Sequence, residues 1–116
     1  MESKKKIKAT VTGAGGFIGH HLVKFLKKKG YWVRGVDIKN PEFEQTVADE
    51  FLILDLRLKT NALKTTKNVA EVYNLASNMG GIGYIDSVKA RLMNDNILID
   101  TSMLEASRQN KVNRFF

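Results

Sequence analysis

Thr12-Gly13-Ala14-Gly15-Gly16-Phe17-Ile18-Gly19 joins an apolar run to an amphipathic one, and its glycines stand at 13, 16 and 19, with a further one at 15. Small residues serve three purposes in such a stretch. They let the backbone turn sharply from strand to helix, let a pyrophosphate approach the backbone amides, and let helix and strand pack closely. An anion held there sits at a helix N-terminus, where unpaired N–H groups and the helix dipole favour negative charge.

Glycine spacing alone is a weak signal, so its flanks carry the argument. Ile7 to Thr12 is short enough for a strand. After the turn, Ile18, Leu22, Phe25 and Leu26 recur at helical spacing and predict an apolar face, with Lys24, Lys27 and Lys28 opposite. Gly30 follows where a helix end favours a residue tolerant of positive φ. Tyr31 to Asp37 then predicts a second strand, ending in an acid 18 residues after Gly19. In a βαβ dinucleotide fold this is where a carboxylate accepts hydrogen bonds from the adenosine ribose.

Bulk properties bound the rest. A chain of 116 residues with 43% hydrophobic content and one proline is at most one domain, short for a dinucleotide-binding enzyme. The absence of cysteine rules out disulfides and thiolate metal sites, and no metal site is predicted. No run approaches the roughly 18 apolar residues of a membrane span, and the lysine-rich start lacks the apolar region of a signal peptide. The expectation is a cytoplasmic chain with no membrane partner. The net charge of +7 is concentrated in residues 1 to 35, which carry nine Lys or Arg against one Glu. Residues 36 to 116 carry ten against eleven. Such an excess reads as a frayed terminus, Lys4 to Lys6, plus a solvated helix face, with no specific nucleic-acid partner.

Further along, residues 38 to 45 read as a loop containing Pro41, and Glu50 to Leu56 as a third strand entering a loop at Asp55. A modest helix is predicted over Lys59 to Thr66. Val69 to Ala76 reads as a fourth strand of a parallel sheet covered on both faces. Right-handed crossovers then give an α/β fold, a Rossmann-type doubly wound sheet of order 3-2-1-4, with Val112 to Phe116 starting a fifth strand. The loop from Ser77 to Gly83 shares the carboxyl edge with the first turn, and its glycines suit either close approach to a ligand or a plain loop. A long helix is predicted from about Tyr84 to Gln109, with Tyr84, Val88, Leu92, Asn96, Ile99, Met103 and Ala106 along one face. Spacing alone leaves Asn96 either buried or turned to solvent.

Taken together, the glycine stretch, Asp37, Asp55-Leu56, Asn74-Leu75-Ala76-Ser77, and Asn96 followed by Met103-Leu104-Glu105-Ala106 resemble the extended short-chain dehydrogenase/reductase family. This is the family of NAD-dependent nucleotide-sugar epimerases and dehydratases. The motifs run in order along essentially the whole chain. Asp55-Leu56-Arg57 and the Met-Gly-Gly-x-Gly loop at 79 to 83 look most like the GDP-mannose 3,5-epimerases within it.

The resemblance implies an incomplete N-terminal NAD-binding domain over residues 1 to 116. Gly13, Gly16, Phe17, Ile18 and Gly19 would hold the pyrophosphate of NAD, and Asp37 the ribose, where a 2′-phosphate would meet negative charge. Asp55 and Leu56 would bracket the adenine, and Leu75 and Ala76 would line the cofactor. Gly80 and Gly81 would approach a GDP-mannose-like sugar nucleotide, and Asn96 would take a buried structural role. Family chemistry is transient oxidation at sugar C4, inversion at neighbouring carbons and return of the hydride.

No catalytic residue is assigned in this chain. The family's catalytic Ser or Thr and its YxxxK motif lie after the fifth strand, and neither Tyr73 nor Tyr84 is followed by Lys four residues on. The chain is therefore expected to be inactive by itself and to self-associate through an exposed sheet edge and the long helix. A 4,6-dehydratase or 4-epimerase parent shares the cofactor motifs, and a stand-alone NAD-binding module is the alternative from a different class.

Overall fold

The computed structural model describes residues 6–76 and 87–116. Their order is β1 (Lys8–Thr12), α1 (Phe17–Lys28), β2 (Trp32–Asp37), β3 (Glu50–Ile53), α2 (Lys59–Thr65), β4 (Glu71–Asn74), α3 (Ser87–Gln109) and β5 (Arg114–Phe115). The five strands form one parallel sheet in the order β3-β2-β1-β4-β5, a Rossmann-like arrangement. The chain starts in the middle of the sheet, winds outward through β2 and β3, then returns past β1 to β4. The reversal leaves a crevice at the carboxyl ends of β1 and β4. Although β5 is short, it closes the outer edge of β4, with Phe116 N–H donating to Val72 O (2.8 Å) and Asn74 N–H to Phe116 O (2.9 Å).

Each face of the sheet is covered, and alternation along the strands assigns residues to faces. Ala9, Val11 and Val33 pack with Ala14, Val23 and Leu26 on the α1 side. Val36 and Val72 pack with Ala62, Ile99, Met103 and Ala106 on the α2 and α3 side. Between the apolar positions, Thr10, Thr12 and Arg34 are buried polar residues with assigned partners. Arg34 Nη1 donates to the carbonyls of Thr65 (3.0 Å) and Lys67 (2.8 Å), closing the C-terminal end of α2, where carbonyls lack intrahelical partners.

Two expectations about helix faces need correction. The buried stripe of α1 is Gly19, His20, Val23 and Leu26. Ile18 and Phe25 are 73% and 54% exposed, so the stripe is rotated from the one the large apolar residues suggest. His20 is buried because the loop after β2 supplies its partner. Glu44 Oε1 lies 2.6 Å from Nε2, and Phe43 meets the imidazole edge to face. Lys24 and then His20 hold the Glu44 carboxyl down at about 2, so it is an acceptor and Nε2 carries the proton. In α3 Asp95, Ser102 and Ser107 are the buried polar residues among the described ones, and Asn96 is only half-buried. The glycine loop with Gly80 and Gly81, and Tyr84, lie outside the described residues.

Candidate functional site

The turn after β1 is built by its own backbone. Gly16 N–H donates to Gly13 O (3.1 Å), Ala14 N–H reaches across to Val36 O (3.2 Å), and His20 N–H donates to Gly16 O (2.9 Å) to start α1. Gly13 has φ +69°, a left-handed conformation that glycine adopts without strain. The first turn of α1 holds no acidic side chain and its N-cap is Gly16, so no side chain caps the helix there. The partial positive charge of the helix start is therefore open to an anion from outside.

Asp37 ends β2 beside this turn. Its Oδ2 accepts the Gly15 N–H (2.8 Å) and its Oδ1 the Ile38 N–H (2.6 Å), fixing the carboxylate against the glycine stretch. From the other side, β4 contributes Leu75 and Ala76. Thr12 Oγ1 donates to Asn74 Oδ1 (2.7 Å) and accepts the Ala76 N–H (3.0 Å), tying the carboxyl ends of β1 and β4 together. Asn74 Nδ2 continues this chain to Asp100 on α3 (2.9 Å). Replacing Thr12 by Val keeps the shape and removes both bonds. We expect about 1–2 kcal/mol lower stability by urea unfolding, from two polar groups left without partners.

A cleft of about 400 Å³ opens between these elements. It brings together Gly13, Gly16, Asp37, Asp55, Leu56, Leu75 and Ala76 from the sequence-derived set. Phe17 and Ile18 are not part of its wall; they stand exposed on the first turn of α1 (68% and 73%). Gly19 is buried beneath the turn, where its missing side chain makes room for Gly13 O.

The wall also contains residues that sequence reasoning did not single out: Ile38, Lys39, Leu54, Arg57, Asp95 and Ile99. Ile38 and Lys39 belong to a polar stretch with no motif of its own, yet they follow directly on Asp37. Asp95 sits one position before the Asn that the helical stripe suggested. Arg57 stood in the sequence only as the third member of Asp55-Leu56-Arg57. Its guanidinium grips Asp55 through Nη2 (2.7 Å) and Nε (3.1 Å), and Nη1 lies 3.4 Å from Asp95 Oδ1. Hydrogen bonds from the Arg57 side chain and backbone hold the Asp55 carboxyl below its ordinary range.

The phenol of Tyr73, which is not part of the cleft wall, is pushed up to about 12 by burial and by Glu71, to whose Oε1 it donates (3.0 Å). No cluster of potential metal ligands occurs among the described residues. None of the described helices is long and apolar enough to cross a membrane.

The NAD dependent epimerase/dehydratase family profile matches residues 9–116. GDP-mannose 3,5-epimerase 1 of Oryza sativa subsp. indica is 44% identical over 114 residues, which are 97% of this chain and 30% of that protein. This chain thus spans about a third of the length of that relative. Among solved structures, UDP-glucose 4-epimerase from Thermotoga maritima, crystallised with UDP-glucose, superposes with a TM-score of 0.80 at 26% identity. That match covers 94% of this chain and 36% of that one. MoeE5, solved with UDP-glucuronic acid and NAD, gives 0.77 at 31% identity, covering 93% and 35%.

Proposed function

The chain belongs to the NAD dependent epimerase/dehydratase family, and from that premise we propose that its cleft holds NAD as the cofactor-binding part of a GDP-mannose 3,5-epimerase-like enzyme. The observation that carries this reading is the meeting of a side-chain-free helix start at Gly16 with the Asp37 carboxylate along one cleft. A Cβ on Gly13 would lie 2.7 Å from Leu75 O, and one on Gly16 would project beside Gly13 O at 3.4 Å. Bare backbone at these two positions is the cradle a pyrophosphate needs.

In this reading Gly13 and Gly16 receive the pyrophosphate, with Phe17 and Ile18 flanking it from the helix start and Gly19 keeping the turn tight. Asp37 accepts the ribose hydroxyls, and its charge disfavours a 2′-phosphate. Leu56 bounds the adenine, with Asp55 beside it. Leu75 and Ala76 line the path toward the reacting end, and Gly80 and Gly81 approach the sugar nucleotide. NAD, when bound, supplies a hydride acceptor for transient oxidation of the sugar at C4. This chain's own contribution is binding and orientation, because it contains no YxxxK sequence, and by itself it turns nothing over. Self-association through the outer side of α3, where Ile97, Leu98 and Leu104 are exposed, belongs to the same reading.

Thermal unfolding tests it. NAD is expected to raise the midpoint of the chain, since a ligand bound only by the folded state stabilises it by mass action. GDP-mannose added with NAD is expected to raise it further and UDP-glucose to add nothing, with no epimerised product in either mixture. A larger rise with UDP-glucose would favour a 4-epimerase or 4,6-dehydratase. A rise with NAD and with neither sugar nucleotide would favour a stand-alone NAD-binding module.

A further inference from the structure

The loop between β2 and β3 forms part of the cleft wall but has little backbone support. Ile38 and Lys39 line the cleft, and Lys39 O occupies the place a Cβ on Gly15 would take, so this end of the loop rests on the glycine turn. Among the described residues, no backbone-to-backbone hydrogen bond involves residues 38–48. Two side chains tie the loop to α1 instead. Phe43 meets the rings of His20 (4.8 Å) and Phe17 (5.8 Å), and Glu44 Oε1 accepts from His20 Nε2 (2.6 Å) and Lys24 Nζ (2.9 Å).

The two bonds to Glu44 are unequal. The side chains of Lys24 and Glu44 are 36% and 45% exposed, and an ion pair this open to solvent contributes little. His20 is fully buried, and its Nδ1 finds no hydrogen-bond partner among the described residues, so Glu44 is the one polar tie of the ring. Any movement that lifts the loop strands a buried N–H donor, which costs far more than the bond gains when it forms.

We propose that Glu44 is a positioning residue for the cleft: by capturing the buried His20 it fastens residues 38–44 as a strap across α1, and so fixes Asp37, Ile38 and Lys39 against the glycine turn. The strap starts at Asp37, whose carboxylate accepts the Gly15 and Ile38 amides, and it is latched at Glu44. Released, it lets both amides open to water more often. The latch belongs to the free chain, and only its consequence for binding rests on the reading of the cleft as an NAD site.

Amide hydrogen exchange on the free chain tests the latch without a ligand. In Glu44→Ala the Gly15 and Ile38 amides are expected to exchange about tenfold faster, while Val11 and Val72, held within the sheet, keep wild-type rates. His20→Leu keeps buried bulk and strands no donor, and should reproduce the same pattern. Glu44→Gln retains an acceptor oxygen for His20 and should restore most of the protection. Glu42→Gln removes a strap charge that pairs with Lys39 and should change nothing. Calorimetric titration reads the consequence. With the strap in place only about a tenth of the time, NAD should bind about tenfold more weakly to Glu44→Ala and His20→Leu.

Wild-type exchange at Gly15 and Ile38 in both variants would overturn the latch, and so would faster exchange spread equally through β1 and β4. Faster exchange at the two amides with NAD affinity unchanged would overturn the positioning role and leave the NAD site standing. Exchange that responds as expected in a chain that binds no NAD would support the latch and remove the NAD reading.

Discussion

Replacing Gly19 by Ala is expected to lower the stability of the chain by about 2 kcal/mol or more and to abolish measurable NAD binding. A Cβ on Gly19 would lie 2.1 Å from Gly13 O, 2.8 Å from Gly13 C and 2.9 Å from Ala14 Cα. All three are backbone atoms of the turn, so no side chain can swing aside. Alanine in a helix interior gains up to about 1 kcal/mol over glycine, while overpacking of this kind costs roughly 1–3 kcal/mol and occasionally more. The balance is unfavourable because the turn is also pinned by Ala14 N–H to Val36 O. To accept the methyl group, α1 must separate from the turn, which takes its free amides away from the cleft. Gly16→Ala is the control. Its Cβ meets only Gly13 O at 3.4 Å, so the fold should persist while the methyl group intrudes on the cleft. Urea unfolding and calorimetric titration on both variants check this, and equal stability losses would contradict the distinction.

Arg34→Met carries the second large effect, this time on the opposite face of the sheet. Arg34 is 9% exposed and stacks 5.3 Å from the centre of Trp32. Its Nη1 serves the carbonyls of Thr65 and Lys67, with Lys64 O at 3.4 Å, and its Nε donates to Glu50 (2.5 Å). Thr65 O keeps a second donor in Thr10 Oγ1 (2.7 Å), but Lys67 O depends on the guanidinium for its bond across the chain. Methionine restores the apolar stem and leaves the helix end without its cation. Hydrogen bonds to charged groups contribute about 1.5–3 kcal/mol each, and Glu50, 42% exposed at its side chain, can return to water. The expected loss is about 2–4 kcal/mol in urea unfolding. Arg34→Lys should lose less, since one ammonium can serve one or two of these carbonyls.

Much of this architecture was legible in the sequence because its signals are local. The glycine spacing, the acid closing the second strand and the alternation of strands and helices specify a parallel sheet and its switch point without long-range knowledge. The faces of the helices were less legible. Counting back from Ile99 by four reaches Asp95 and by three reaches Asn96, and hydropathy favours the uncharged residue. The structure buries Asp95, opposite Arg57, a partner 38 residues away that periodicity cannot reveal. In α1, Ile18 and Phe25 look like core residues by size, whereas His20 is buried because Glu44 and Phe43 come back over it from a loop with no helical or strand pattern of its own. The wall of the cleft follows the same division. Gly13, Gly16 and Asp37 are set by motif spacing, while Arg57, Asp95 and Ile99 meet only when α3 docks beside the loop after β3.

We expect Asp37 and the glycine turn to make this cleft a site for NAD, and calorimetric titration of the chain with NAD and with its 2′-phosphorylated form decides the matter. One NAD should bind per chain, with at least tenfold weaker binding of the 2′-phosphate form and a loss of that preference in Asp37→Ala. No binding of NAD, or equal binding of the two forms by the unaltered chain, would contradict it.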